Sequence, residues 1–198
     1  MKLQIKQSDL KAVAHAMAVN DIRTVLNGVA VETDGRNARL IASDGNRMHV
    51  VIRPGDAMSS APSIYILPPD MVKTLCKVKF PKGSSPEFTL ELLNDGKATA
   101  SMPDGSIMTA TLIDGQFPDY RRIFPAQLGD AAPANFNYSY ITDAYAGLAD
   151  YMGKRGQPRV TLAQQGLNGA ILQYEGFLAI VMPLRCNETV VDLAKFKR

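Results

Sequence analysis

The sequence predicts an α+β protein built by repetition, with antiparallel sheets backed by helices in units that run strand, helix, strand, strand, strand. Three observations carry this. Apolar residues recur at helical spacing in three short stretches. Short strand-like runs follow each stretch. Turn pairs such as Asp34-Gly35 and Asp44-Gly45 separate the runs. The repeat is about sixty residues long.

In the first unit Ser8 is the expected N-cap, and Leu10, Val13, Ala14 and Met17 form the apolar helix face, with strands over 28–33, 38–42 and 48–52. The second unit opens extended over 63–67. Pro68 and Pro69 suit a first helical turn, and Met71, Val72, Leu75 and Cys76 make one apolar face. Strands are expected at 87–93, 98–102 and 106–113. The third unit is extended over 135–138, and Ser139 or Thr142 is expected to cap a helix marked by Ile141, Tyr145, Leu148 and Met152 and ended by Gly153. Runs 159–163, 169–174 and 177–182 complete it. These boundaries give a two-unit domain over 1–125, a linker rich in Ala, Gly and Pro over 126–133, one unit over 134–186, and a tail over 187–198.

Composition narrows the function classes. With 46% hydrophobic residues the chain can build real cores. No apolar run approaches the roughly 20 residues that span a bilayer, and the N-terminus lacks the apolar stretch of a signal peptide, so a cytoplasmic protein is expected. Cys76 and Cys186 are too few for a disulfide framework and lack metal-ligand spacing; both read as buried thiols. A net charge of +3 excludes a strongly basic nucleic-acid binder but leaves room for a local basic face.

Catalytic tools are scarce. His15 and His49 have no partner at triad or zinc-ligand spacing, and both read as structural. The aspartates at 34, 44, 95, 104 and 114 each precede a glycine, where Asp stabilises turns. There is no phosphate-cradling glycine loop. No catalytic residue, cofactor or metal is expected, and the chain does not read as an enzyme.

Binding features are more specific. Lys73 and Lys77 lie four apart on the second helix, with Lys79 and Lys82 just beyond; Lys154 and Arg155 end the third helix, and Lys11 lies on the first. The plain reading is a solvated helix face. If the helices share one surface, these cations line it for sequence-independent contact with phosphates. Such a lining needs no stacking aromatics, and their absence from these helices favours duplex over single strands. The segment 112–125, LIDGQFPDYRRIFP, joins a turn, a Phe117-Pro118 kink and Arg121-Arg122; it reads as a connector with a surface role or as an ordinary join.

Several passages resemble one family. DIRTVLNGVAVET (21–33), ASDGNRMHV (42–50) and TATLIDGQFPDYRRIFP (109–125) resemble the middle domain of the bacterial DNA polymerase III β subunit, the sliding clamp. NFNYSYITDAYAGL (135–148) and AIVMPLR (179–185) resemble the second half of its last domain. The resemblance implies the DNA clamp (processivity-fold) architecture. It also implies a non-catalytic ring around duplex DNA that tethers DNA polymerases and repair factors. The clamp's first domain and the first half of its last find no counterpart, and in the family those parts close the ring. A homo-oligomer is therefore expected. Two third units would rebuild a domain about a two-fold axis, and four copies would complete a ring. An alternative is a ringless, phage- or plasmid-type decoy that binds client peptides without DNA.

By the same resemblance, clients dock in a pocket whose wall comprises Leu26, Ser43, Gly45, Asn46, Arg47 and Met48, then Pro118, Arg122 and Ile123. Met182, Pro183, Leu184 and Arg185 close it. Its apolar members suit the leucine and aromatic side chains of a short peptide, and its arginines the peptide's polar groups. Asn46 stands where clamps commonly have histidine. Beyond Arg185 the chain continues over 186–198, where Leu193 and Phe196 approach the leucine-aromatic spacing of clamp-binding peptides without their leading glutamine. This tail is either a disordered basic segment or an occupant of a pocket.

Overall fold

The computed structural model describes residues 2–54, 62–93, 95–124, 134–153, 160–164 and 168–185. The expected linker at 126–133, the cations Lys154 and Arg155, and the tail with Cys186 lie outside them.

The first unit runs β1 (Lys2–Lys6), α1 (Gln7–Ala14), a 3-10 turn (Thr24–Asn27), β2 (Val29–Thr33), β3 (Asn37–Ser43) and β4 (Arg47–Pro54). The second runs β5 (Ser63–Leu67), α2 (Pro69–Lys77), β6 (Glu87–Leu92), β7 (Lys97–Ser101) and β8 (Ile107–Thr111), followed by a 3-10 turn at Tyr120–Ile123. The third has β9 (Asn135–Phe136), α3 (Tyr138–Met152), β10 (Thr161–Ala163), β11 (Ala170–Tyr174), β12 (Phe177–Val181) and β13 (Pro183–Leu184). This is the expected α+β architecture.

Opening strands are exchanged between the first two units. β1 joins β6 in the sheet β1-β6-β7-β8, and β5 joins β2 in the other sheet. The β1–β6 register places Lys2 opposite Glu91 and Lys6 opposite Glu87. Both pairs carry ion pairs, at 2.7 and 3.9 Å, which favour this register over its neighbours. The third unit attaches through β12, which pairs antiparallel with β4 to complete a seven-stranded sheet, β10-β11-β12-β4-β3-β2-β5.

Helix α1 packs against both α2 and α3, so the three helices form one layer on the inner face of the sheets. The main core lies between them, from Leu10 and Val13 of α1 and Leu75 of α2 to Leu148 of α3, Val51 of β4 and Ala179 of β12. A second apolar cluster occupies the opposite face of the seven-stranded sheet. Met48, Val50 and Ile180 point into it while their strand neighbours His49, Val51 and Ala179 point to the helices. This alternation explains why β4 and β12 read as near-continuous hydrophobic runs: both faces are covered.

Two expected caps are corrected. Ser8 lies inside α1, whose N-cap is Lys6 with no side-chain cap. The helix start is set instead by Gln7, whose N–H donates to the Pro86 carbonyl at 2.8 Å. In α3 the cap is Asn137, whose Oδ1 accepts from the Ser139 N–H, while the Thr142 hydroxyl bonds back to the Tyr138 carbonyl within the helix. Gly153 ends α3 at φ 61°, a conformation that favours glycine. Among the described residues no helix is long and apolar enough to cross a membrane.

Candidate binding groove at the junction of three segments

The second apolar cluster is open on one side, as a cavity of about 200 Å³ on the sheet face opposite the helices. Three segments build it. The Thr24–Asn27 turn supplies Leu26; the β3–β4 hairpin supplies Ser43, Gly45, Arg47 and Met48; and an arch from Phe117 to Ile123 covers one side. Ile180 of β12 and Met182 close it from the third unit. The Met182 N–H donates to the Asn46 carbonyl at 2.8 Å, which extends the β12–β4 ladder to the cavity rim. An apolar cavity of about 150 Å³ accepts a benzene ring, so this one has room for an aromatic or branched side chain.

Each wall is held by identifiable forces. Gly45 has φ +90°, and a Cβ there would lie 2.8 Å from the Arg23 guanidinium. The Ser43 hydroxyl closes the hairpin by donating to the Arg47 carbonyl and accepting from the Gly45 N–H. The arch is pinned to β2: the Tyr120 hydroxyl donates to Glu32 at 2.6 Å, and Arg121 forks onto both Glu32 oxygens at 2.8 and 2.9 Å. Burial and the Glu32 carboxylate push the Tyr120 hydroxyl well above its ordinary pKa, so it stays a donor. Phe117, only 5% exposed, anchors the other end of the arch before Pro118.

Of the expected wall, Leu26, Ser43, Gly45, Arg47, Met48, Pro118, Ile123 and Met182 converge on the cavity. Asn46 contributes its backbone carbonyl and leaves its side chain exposed. The Arg122 side chain is 84% exposed beside Asp119 and does not line the cavity. Pro183 and Leu184 turn away because they pair with Phe136 and Asn135, and Arg185 follows them on the exposed surface. Arg47 lines the rim with a committed guanidinium: it pairs with Asp44 at 3.0 Å and with Asp143 of α3, and stacks 4.6 Å over the Tyr140 ring. Its charge ties the third unit to the hairpin.

Arg23, Phe117, Asp119, Tyr120 and Ile180 also line the cavity and were not expected there. Arg23 forks onto Asp21 at 2.9 and 2.7 Å, and that hydrogen bonding holds the Asp21 carboxyl down to about 2. The Asp-x-Arg spacing within DIRTVLNGVAVET was the available signal.

On the helix layer, Lys73, Lys77, Lys79 and Lys82 are exposed, whereas Lys11 is half-buried. The expectation of an aromatic-poor layer is overturned at α3. That helix exposes Tyr138 at 81% and Tyr145 at 43%, and it carries no Lys or Arg from Tyr138 to Met152. Of the two histidines, His15 pairs with Asp150 at 2.8 Å, and His49 is fully buried. Burial pushes the half-buried Cys76 thiol up to about 11, leaving it a neutral packing group at pH 7.

Comparison with known proteins bears on this groove. The family model described as "DNA polymerase III beta subunit, central domain" matches residues 4–119. The Beta sliding clamp of Salmonella typhimurium is 34% identical over 116 residues, covering 59% of this chain and 30% of that protein. The Beta sliding clamp of Haemophilus influenzae is 32% identical over 159 residues, covering 80% of this chain and 42% of that protein. The matched stretches thus span 30% and 42% of the length of these curated relatives. The crystal structure of the DNA polymerase III subunit beta from Pseudomonas aeruginosa superposes with a TM-score of 0.76 at 20% identity, over 93% of this chain and 66% of that one. For the subunit from Borrelia burgdorferi the TM-score is 0.77 at 15% identity, over 94% and 63%. These likenesses show that the fold is a DNA clamp fold, third unit included. With more than half of its length matched by the central-domain model, the chain belongs to the DNA polymerase III beta subunit family.

Proposed function

We propose that the chain is a non-catalytic, sliding-clamp-like processivity factor that acts in DNA replication in the cytoplasm. Copies associate around duplex DNA without reading its sequence, and the groove holds short peptides of a DNA polymerase or repair factor. Residues 1–125 act as one clamp-type domain and 134–186 as half of another, with a second copy supplying the missing half. No cofactor or metal enters this reading.

The observation that carries it is the groove itself. Leu26, Met48, Ile123, Ile180 and Met182 offer a deformable apolar wall, and the pinned arch keeps it open. Pro183, Leu184, Arg185, Asn46 and Arg122 then serve as the outer rim, reached by the ends of a peptide longer than the cavity. The DNA-facing role is supported by the exposed Lys73, Lys77, Lys79 and Lys82 beside Lys11, with Lys154 and Arg155 assigned to the same face by sequence. Self-association of the third unit is supported by the uncharged stripe Tyr138, Thr142, Tyr145 and Ala149, all exposed on α3.

One pair of variants separates the two activities. Ile123→Ala is expected to weaken capture of a fluorescent pentapeptide, with glutamine first and leucine-phenylalanine last, by about tenfold or more. It should leave retention on circular duplex DNA unchanged. The double change Lys73→Glu and Lys77→Glu should abolish that retention and leave peptide capture intact. Peptide binding without DNA retention in the wild-type chain would instead establish the ringless decoy. An unchanged affinity in Ile123→Ala would remove the groove from the reading.

A further inference from the structure

The first and third units of this chain are joined through the last long strand of each. β4 closes the first unit and β12 the third, and the two pair antiparallel, with Val51 opposite Phe177 and Arg47 opposite Val181. β8 holds the same place in the second unit. Among the described residues it is the end strand of its sheet, with β7 on one side.

Over Ile107–Thr111 the other side of β8 is an open backbone edge among the described residues; just beyond it the Ile113 N–H donates to the Ile66 carbonyl of β5. The Leu112 N–H donates inward to the Gly96 carbonyl, and the Ser106 carbonyl accepts from Met102. Even-numbered residues therefore turn their polar backbone groups toward β7. Those of Ile107, Thr109 and Thr111 turn outward, because the two directions alternate along an antiparallel strand. Natural edge strands are usually guarded by a lysine, a proline or a bulge. Ile107–Thr111, IMTAT, carries no lysine or proline, pairs with β7 residue for residue, and leaves Ile107 67% exposed.

We propose that β8 pairs antiparallel with β8 of a second copy, about a two-fold axis through Thr109, so that the four-stranded sheets of two chains become one continuous sheet. Self-complementarity favours a second copy as the occupant. In this register Ile107 faces Thr111 and Met108 faces Ala110, so each large side chain opposes a small one on both faces of the sheet. No charged side chain in the strand meets its own image. The three outward residues of each strand both donate and accept, giving about six backbone hydrogen bonds across the axis. This contact is separate from the α3 stripe. It goes beyond the reading above and shares with it only self-association: two self-complementary faces join copies alternately, and the assembly closes, with an even number of copies, where the two axes meet at a closing angle.

The test is sedimentation velocity on the full chain at tens of micromolar, comparing wild type, Thr109→Lys, Tyr145→Glu and the double variant. Thr109→Lys is expected to halve the wild-type mass, with the far-UV spectrum and pentapeptide capture unchanged, because Thr109 is exposed and away from the groove. The double variant should be a monomer. A positive control follows from the register. With Cys76 and Cys186 replaced by serine, Thr109→Cys should form a disulfide-linked dimer on mild oxidation, since paired Cα atoms in such a ladder lie about 5.5 Å apart. Thr99→Cys, one strand inward, should not. A monomeric wild type, an unchanged mass in Thr109→Lys, or no Thr109→Cys cross-link would overturn the β8 pairing. Loss of peptide or DNA binding in the wild type would leave it untouched.

Discussion

Helix α1 meets its two neighbours in different ways. Toward α2 it presents a side chain: the Gln7 Nε2 donates to the carbonyls of Leu75 and Val78, each at 2.8 Å, and so closes the C-terminal end of α2. Toward α3 it presents bare backbone, because Gly147 brings that helix so close that an added Cβ would lie 2.6 Å from the Ala12 carbonyl oxygen. The opening strands differ in the same sense. β1 and β5 each cross into the other unit's sheet, whereas β9 is two residues long and pairs with β13 of its own unit. The first two units complete one another within the chain. The third is attached to the first by one strand ladder, one close helix contact and side-chain pairs that include Arg47–Asp143 and His15–Asp150.

The largest way to break this contrast is at the close contact. Gly147→Val would drive side-chain carbon into the Ala12 carbonyl and into the His49 ring, 2.8 Å from the Cβ position. Neither can yield cheaply, since one is backbone and the other is fully buried. Overpacking of this kind is expected to cost about 3 kcal/mol in urea unfolding, with α3 displaced and the exchanged strands of the first two units intact. Limited proteolysis should then remove the third unit first. A cost below about 1 kcal/mol would show that α3 has room to shift and that the contact is not tight.

His49 sharpens the comparison, because it lies beneath the α1–α3 contact and has no counterpart role between α1 and α2. Its Nδ1–H donates to the Ala12 carbonyl at 2.8 Å, and its ring meets Phe177 edge-on at 5.5 Å. Burial holds its pKa down to about 4, from an ordinary 6.5. The unfolded chain takes up the proton below pH 6.5 while the folded chain resists until about pH 4. The stabilisation is therefore present above pH 6.5 and is lost as the pH falls through that window. At pH 5 the expected loss relative to pH 7 is about 2 kcal/mol. His49→Gln, which cannot titrate, should flatten that part of the stability profile. An equal slope in wild type and variant would assign the pH dependence elsewhere.

Residues differ in how far their own neighbourhood decides their place, and this governs what could be read from the chain. The strand-helix-three-strand repetition was legible because Asp-Gly turns are local: Gly35, Gly45 and Gly105 all sit at φ between 83° and 90°, where glycine is favoured. β1 is less legible: Leu3 and Ile5 alternate with Lys2, Gln4 and Lys6 over only five residues, with no turn pair before them, and β6 supplies their partner from more than eighty residues away. The groove divides the same way. Leu26, Met48 and Met182 were named through the motifs around them, but Tyr120 reaches its place through Glu32, 88 residues earlier. Ile180 faces the groove because of the phase of the β12–β4 pairing. Leu184 was assigned to the wall, yet β13 carries it away toward β9. On α3 Tyr145 reads as part of the apolar face and Tyr138 as the end of an extended run, yet both are exposed on a helix that packs against α1, β12 and β4.

The smallest expected effects test whether side-chain bonds on the two flanks of α1 are worth different amounts. Gln7 is a buried donor serving two carbonyls at the end of α2, so Gln7→Ala leaves both without their partner in a place water reaches poorly. Such a loss costs about 1 to 2 kcal/mol. On the α3 flank the His15–Asp150 pair is geometrically as short, at 2.8 Å, but its side chains are 31% and 41% exposed. Water competes for both partners, and exposed pairs contribute little, so Asp150→Asn should cost no more than about 0.5 kcal/mol. Urea unfolding of the two variants at pH 7 gives the ranking directly. If Asp150→Asn proved the costlier, the α3 flank would be held by its polar contact, and the tight glycine approach would be a consequence of that bond instead of its cause.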